Sequence, residues 1–217
     1  MNCEEFVLPP CELALPLVKE ALRCLIHTVL FGRTIGGNVA VEPTTVRSKL
    51  IDIQYCKYNS LLEDESLEGK IREFAQKLES TSTQSLILVL AFYVPRHKSS
   101  KSLWDILSQP FDDKAVFERW KLQVNLPPKS YVGVASVADD EQRLIESATS
   151  QVRDRIFFII RKLTDRMDQL PPPPPDQVPY HFEITFAGSQ SVPGSPVPMA
   201  WSPKSIAQSI RSIPFIT

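Results

Sequence analysis

The sequence predicts an α+β fold with a mixed or antiparallel sheet packed against three main helices. Three observations predict it. Helical stripes recur at 12–31, 63–78 and 139–167. Strand-like alternation appears at 50–58, 118–126 and 178–186. An apolar run rich in strand formers, SLILVLAFYV (85–94), reads as a buried central strand. Strands and helices interleave as β-α-β-α-β, an insert, then β-α-β-α, with some neighbours close enough to pair as hairpins.

Along the chain, CEEFVL (3–8) is a short strand ended by Pro9 and Pro10. In the first helix Leu15, Val18, Leu22, Leu25 and Val29 form a stripe that Leu17, Ala21, Cys24 and Ile26 widen, so burial on more than one side is expected. Residues 32–49 carry GRTIGG and Pro43 and read as a loop; no GxGxxG or GK[ST] follows a strand there, so no phosphate cradle is expected. LIDIQYCKY (50–58) alternates Ile51, Ile53 and Tyr55 against Asp52, Gln54 and Cys56, a half-buried strand. The second helix carries Leu67, Ile71, Phe74 and Leu78, with Glu63, Asp64 and Glu65 suited to its N-terminal dipole. The run 85–94 is expected to be central and covered on both faces, with Pro95 ending it.

ERWKLQVNL (118–126) sets Trp120, Leu122, Val124 and Leu126 against Arg119, Lys121, Gln123 and Asn125, and Pro127 and Pro128 end it. YVGVASVA (131–138) is a short extended piece or a loop. The third helix has its stripe at Ile145, Ala148, Val152, Ile156, Ile159, Leu163 and Met167. A proline-rich connector spans 169–178 and holds five consecutive prolines, which impose an extended polyproline path. VPYHFEITF (178–186) alternates as a strand, 188–198 is a Gly/Ser/Pro loop, and Ser202-Pro203 opens a short helix with Ile206 and Ile210. With no internal repeat and no linker between two cores, 1–217 reads as a single domain.

Of 217 residues, 43% are hydrophobic and 23% charged, which permits a sizeable core. The formal net charge of −1 argues against broad attraction to nucleic acid or anionic membrane. Cys3, Cys11, Cys24 and Cys56 make no CxxC pair, and His27, His97 and His181 are scattered, so no metal centre is expected. The start MNCEEFVLPP lacks a signal-peptide pattern and no apolar run approaches the roughly 20 residues that span a bilayer. The expectation is a soluble intracellular protein with free thiols.

No enzyme signature stands out. Asp139, Asp140 and Glu141 lie where a helix should start, and capping explains them. No GxSxG motif exists, and His27 beside an apolar stripe reads as structural. The 171–175 prolines could dock an SH3 or WW domain, but a connector explains them. Binding signals are better. Opposite the core stripe of the third helix runs the line Arg143, Ser147, Ser150, Asp154, Phe158, Arg161 and Asp165, which points Phe158 outwards among charges. There it is either covered by another part of the chain or part of a partner face. The segment SKSLWDILSQPFDDK (100–114), inside an expected exposed loop at 95–115, concentrates Trp104, Leu103, Ile106, Leu107 and Phe111 among polar residues. Ser102 and Asp105 form a capping-box-like start to a turn too short to be stable alone. It either docks onto the domain's own core or grips a partner.

The start MNC, CLIHTVLF, LIDIQY, LAFY, PFDDKAVFERWKLQV, DDEQRLI and VPYHFEITF, in this order, resemble a HORMA domain and in detail the autophagy-related protein 101 family. The resemblance implies a non-catalytic adaptor of the autophagy-initiation kinase complex, cytoplasmic and at the phagophore assembly site, with no cofactor. It implies a heterodimer with the HORMA domain of autophagy-related protein 13, which the family stabilises. It also implies a Trp/Phe finger on an exposed loop that recruits downstream autophagy factors. In the family pattern the two aromatics are separated by a single proline. Here Pro110, Phe111, Asp112 and Asp113 match the second half, while Trp104 lies seven residues before Phe111. The resemblance implies an open-type C-terminal region, and the shortened, proline-bearing stretch before the last long strand implies that this region is tied differently from a safety belt. A HORMA adaptor of checkpoint or chromosome-axis type, which entraps a peptide under a C-terminal safety belt, is the alternative.

Overall fold

The computed structural model describes residues 3–34, 44–57, 61–80, 84–95, 114–127, 137–165 and 181–188. The elements are β1 (Glu4–Val7), β2 (Cys11–Glu12), α1 (Leu15–Thr34), β3 (Thr44–Arg47), β4 (Gln54–Lys57), α2 (Leu61–Ser80), β5 (Ser85–Pro95), β6 (Lys114–Asn125), α3 (Val137–Asp165) and β7 (His181–Gly188). The fold is α+β, three helices against a mixed sheet. The main sheet has five strands in the order β1-β6-β5-β7, with β2 also on β6. β1 and β2 run parallel to β6, whereas β5 is antiparallel to both β6 and β7.

One face of this sheet is apolar because the pairing register lines up the inward side chains. Leu90 opposes Trp120 and Ile184, and Leu88 opposes Leu122 and Phe186. Trp120 stacks on Phe6 of β1 with ring centroids 4.4 Å apart. The three helices cover this face. Leu17, Val18, Ala21, Leu22, Cys24, Leu25, Ile26 and Val29 are all buried, so α1 is enclosed on several sides, as its widened stripe predicts. α2 buries Leu67, Ile71, Phe74 and Leu78, with Phe74 edge-on to Phe186 at 5.6 Å. α3 buries Ala148, Val152, Ile159 and Leu163. It approaches α1 closely at Gly32, where a Cβ would collide with a Leu163 methyl.

α3 also closes the β2 margin. The Gln151 amide accepts from Glu12 N–H at 2.8 Å and donates to Glu12 C=O at 2.9 Å, as a neighbouring strand would. Arg155 donates to the Pro10 carbonyl at 2.6 Å.

Several sequence expectations change. α1 starts at Leu15, not residue 12, because 11–12 joins the sheet, and Pro16 then sits in the first turn where its missing N–H costs nothing. The loop expected at 32–49 instead holds the end of α1 and β3. β3 pairs with β4 in a separate two-stranded sheet. The strand expected at 50–58 shortens to β4, since Ile53 N–H donates to the Ile51 carbonyl and bends the chain there. Ile51, Ile53 and Tyr55 are buried all the same. β6 begins four residues before the expected 118.

β5 is central, but among the described residues the helices cover only one of its faces. Leu86, Leu88, Leu90 and Phe92 are buried, whereas Ile87, Val89 and Tyr93 are half-buried. A register shift at Phe92/Tyr93 leaves Phe117 as an extra residue on β6, so consecutive Phe117 and Glu118 both turn inwards. Of 131–138, expected as a short extended piece or a loop, residues 137–138 instead open α3 and the rest lie outside the described residues, as do the connector 169–178 and the C-terminal helix 202–212.

Two polar junctions tie the layers. Arg33, in the last turn of α1, forms a bidentate pair with Glu118 at 2.9 and 2.5 Å, and both side chains are almost fully buried. The Trp120 indole N–H donates to the same carboxylate. Arg23 of α1 clasps Glu68 of α2 at 2.6 and 2.7 Å and also Glu20. Glu20 further accepts from Ser48 Oγ–H at 2.7 Å and the Lys49 N–H at 3.3 Å, which anchors the β3–β4 turn.

Removing one partner of the inner pair strands a buried charge. Arg33→Met or Glu118→Gln alone is therefore expected to lower stability by about 3–5 kcal/mol in urea unfolding. The double change Arg33→Met with Glu118→Leu, apolar at both positions, is expected to recover much of that loss. Burial opposes ionisation of Glu20, but the Ser48, Lys49 and Arg23 contacts prevail and hold its carboxyl below the usual 4.5. A depressed folded-state pKa contributes stability that is present above about pH 4.5 and lost as pH falls below it. Glu20→Gln should flatten the wild-type decline in melting temperature between pH 5 and pH 3, as followed by circular dichroism.

Candidate protein interaction surface

The β5–β6 ladder is the platform from which the 96–113 segment departs, the last pair being Pro95 with Lys114. Its end is fastened across three strands. Lys114 lies over the Tyr93 ring at 4.6 Å and bridges to Glu183 of β7 at 2.7 Å. Tyr93 stacks on His181 of β7 at 5.6 Å. Trp104, Pro110 and Phe111 belong to the 96–113 segment and lie outside the described residues.

The helical position singled out by the sequence needs correction. Phe158 is half-buried and packs against the core, with Lys162 over its ring at 5.7 Å. Its neighbour Phe157 is the outward aromatic, 64% exposed, joined by Ile160 at 48%. The reason is the route of the N-terminal segment. Residues 9–12 cross the side of α3 that carries Gln151 and Arg155, and Phe158 lies one turn further along that side. A 100° step from the stripe Val152–Ile159–Leu163 places Phe157 and Ile160 together on the opposite flank, which has no such cover among the described residues. Arg153, Arg161 and Thr164 are exposed around them. An exposed aromatic and aliphatic pair rimmed by arginines has the composition of an interface core. A single helical wheel from sequence misses this, because it shows the apolar stripe but not which flank another segment covers.

The remaining chemical candidates resolve into structure. His27 is 1% exposed and stacks on Tyr55 at 5.7 Å. Burial, reinforced by the Glu20 charge, pushes the Cys24 thiol up to about 12, where it is unreactive near neutral pH. Asp139 and Asp140 fall in the first turn of α3, the position that favours acidic side chains, and Glu141 follows directly. Among the described residues no group of three or more His, Cys, Asp or Glu could hold a metal ion. No described helix is long and apolar enough to cross a membrane.

What the described residues define is an α+β protein with an exposed apolar pair on one helix flank. Residues 12–177 match the family described as Autophagy-related protein 101, so the chain belongs to that family and its role is in autophagy. The chain is similar to Autophagy-related protein 101 of Arabidopsis thaliana, 24% identical over 204 residues that cover 87% of this chain and 89% of the relative. The family is one of autophagy accessory proteins and is not a known enzyme family.

If Phe157 is surface and Ile159 is core, they should respond oppositely to truncation. Phe157→Ala is expected to shift stability by no more than about 0.5 kcal/mol. Ile159→Ala, at 0% exposure, should cost about 2–5 kcal/mol in the same denaturant titration.

Proposed function

We propose that this chain is a non-catalytic scaffold subunit of autophagy initiation that pairs with the HORMA domain of autophagy-related protein 13. The observation that carries the pairing is the exposed Phe157–Ile160 flank of α3, apolar at its centre and rimmed by Arg153 and Arg161. An aromatic anchor on a rigid helix loses little conformational freedom on docking, which is how a small patch dominates an interface. The second working part is the 96–113 segment, with Trp104 and Phe111 as a finger that recruits downstream autophagy factors. Its support is the Pro110-Phe111-Asp112-Asp113 match to the family pattern and the firmly fastened strand ends beneath it. The protein then acts in the cytoplasm and at the phagophore assembly site within the autophagy-initiation kinase complex.

The two parts separate by mutation. Phe157→Asp should weaken binding to the purified HORMA domain of autophagy-related protein 13 by at least about tenfold in isothermal titration calorimetry, since a buried anchor is worth roughly 2 kcal/mol or more. The double change Trp104→Ala and Phe111→Ala should leave that pairing and the melting temperature unchanged, yet abolish downstream recruitment in cells. A large drop in melting temperature would show that these aromatics are core and would sink the finger.

A further inference from the structure

The outward side of α3 carries charge chemistry that its apolar pair does not explain. The exposed cations of this helix are Arg143, Arg153 and Arg161, with no lysine among them. Among the described residues none of the three forms an ion pair. Asp154, beside Arg153 in the chain, turns towards Arg155 instead, at 4.0 Å. By contrast Arg47, Lys77, Lys114 and Lys121 each meet a carboxylate, those of Asp52, Glu73, Glu183 and Glu5.

Two of these arginines bracket the exposed ring. Arg153 stands four residues before Phe157 and Arg161 four residues after it. Helical geometry sets one guanidinium about a turn to each side of the ring, on a strip about 12 Å long. A guanidinium is planar, always charged and less strongly hydrated than an ammonium, so it suits forked recognition of a carboxylate.

We propose that the Phe157–Ile160 flank docks into an apolar pocket of a protein partner flanked by two carboxylates about 12 Å apart, one for Arg153 and one for Arg161. The inference rests on the reading of Phe157 as the anchor for the HORMA partner, and it names the chemistry that the partner's surface carries. Charge complementarity of this kind governs the rate of encounter and the choice of partner more than raw affinity. The chain as a whole, at a formal net charge of −1, has no general attraction for acidic surfaces. The selectivity therefore resides in this strip.

An anionic lipid surface is the other acceptor that arginines around an aromatic could meet. The composition of the helix disfavours it. Glu146, Asp154 and Asp165 are exposed on the same outward side and would be pressed against lipid phosphates. Against a protein they stay at the wet rim and repel misplaced acidic groups, which helps to fix the register.

The test measures the association rate and affinity of the full chain for the purified HORMA domain of autophagy-related protein 13 at about 50 and about 500 mM salt. Circular dichroism confirms the fold and melting temperature of each variant. The wild type is expected to associate at least about tenfold more slowly at the higher salt. Arg153→Gln with Arg161→Gln should remove most of that salt dependence. Arg153→Glu with Arg161→Glu should weaken binding at the lower salt by at least about tenfold. Salt dependence that survives both double changes overturns the proposal, while a pairing still broken by Phe157→Asp keeps the anchor. Pairing that survives Phe157→Asp removes the anchor and this inference with it. Co-sedimentation of the wild type, but not of the glutamine variant, with vesicles of phosphatidylserine and phosphatidylcholine would assign the arginines to a membrane and equally overturn it.

Discussion

Arg33 and Glu118 meet where neither can reach water, and that single pair fixes how the helix layer sits on the sheet. A carboxylate buried on a central strand is costly unless a cation reaches it with good geometry. Here the bidentate guanidinium comes from the last turn of α1, and the indole of Trp120 supplies a further donor. The contact admits one rotation and one axial position of α1 over β6. Arg33 Nη1 has no hydrogen-bond partner among the described residues, so the junction costs energy as well as supplying it. Its value lies more in specifying one alignment than in net stability.

The other contacts follow from that placement. With α1 held over the sheet, the Glu20–Arg23–Glu68 junction hangs α2 and the β3–β4 turn from its near end. The notch at Gly32 sets the approach of α3. α3 then lies over the β2 margin, where Gln151 and Arg155 satisfy the backbone of 9–12. One flank of α3 is thereby spent on the N-terminal segment. Phe157 and Ile160 on the other flank are left outward because the core is already filled without them.

The helices were legible because their stripes are long. Every residue of the α2 stripe that was read from sequence is buried, and so are four of the seven read for α3, Ala148, Val152, Ile159 and Leu163. β6 was legible from alternation at Trp120, Leu122 and Val124. Alternation failed where the chain departs from period two. The bulge at Phe117 turns two adjacent side chains inwards, and the bend at Ile51–Ile53 preserves burial while ending the strand. β3 was invisible because a four-residue TTVR has no pattern of its own and exists only by pairing with β4. Phe158 was misread for a related reason. Whether a flank is covered depends on residues 9–12, about two-thirds of the chain length away, and no local window contains that fact.

The residues proposed for contact are held by elements that cannot readily move. Phe157 projects from a helix of 29 residues whose inner stripe is locked into the core. The 96–113 segment starts and ends on adjacent, paired strands, and the pairing continues to Pro95 and Lys114. Lys114 is in turn fastened to Tyr93 and Glu183, so the two ends of the segment are fixed relative to each other before any partner arrives. The entropy of closing a loop of that length is thus met by folding and not by binding. Among the described residues the largest fully buried side chain is Trp120 of β6, at 0% exposure.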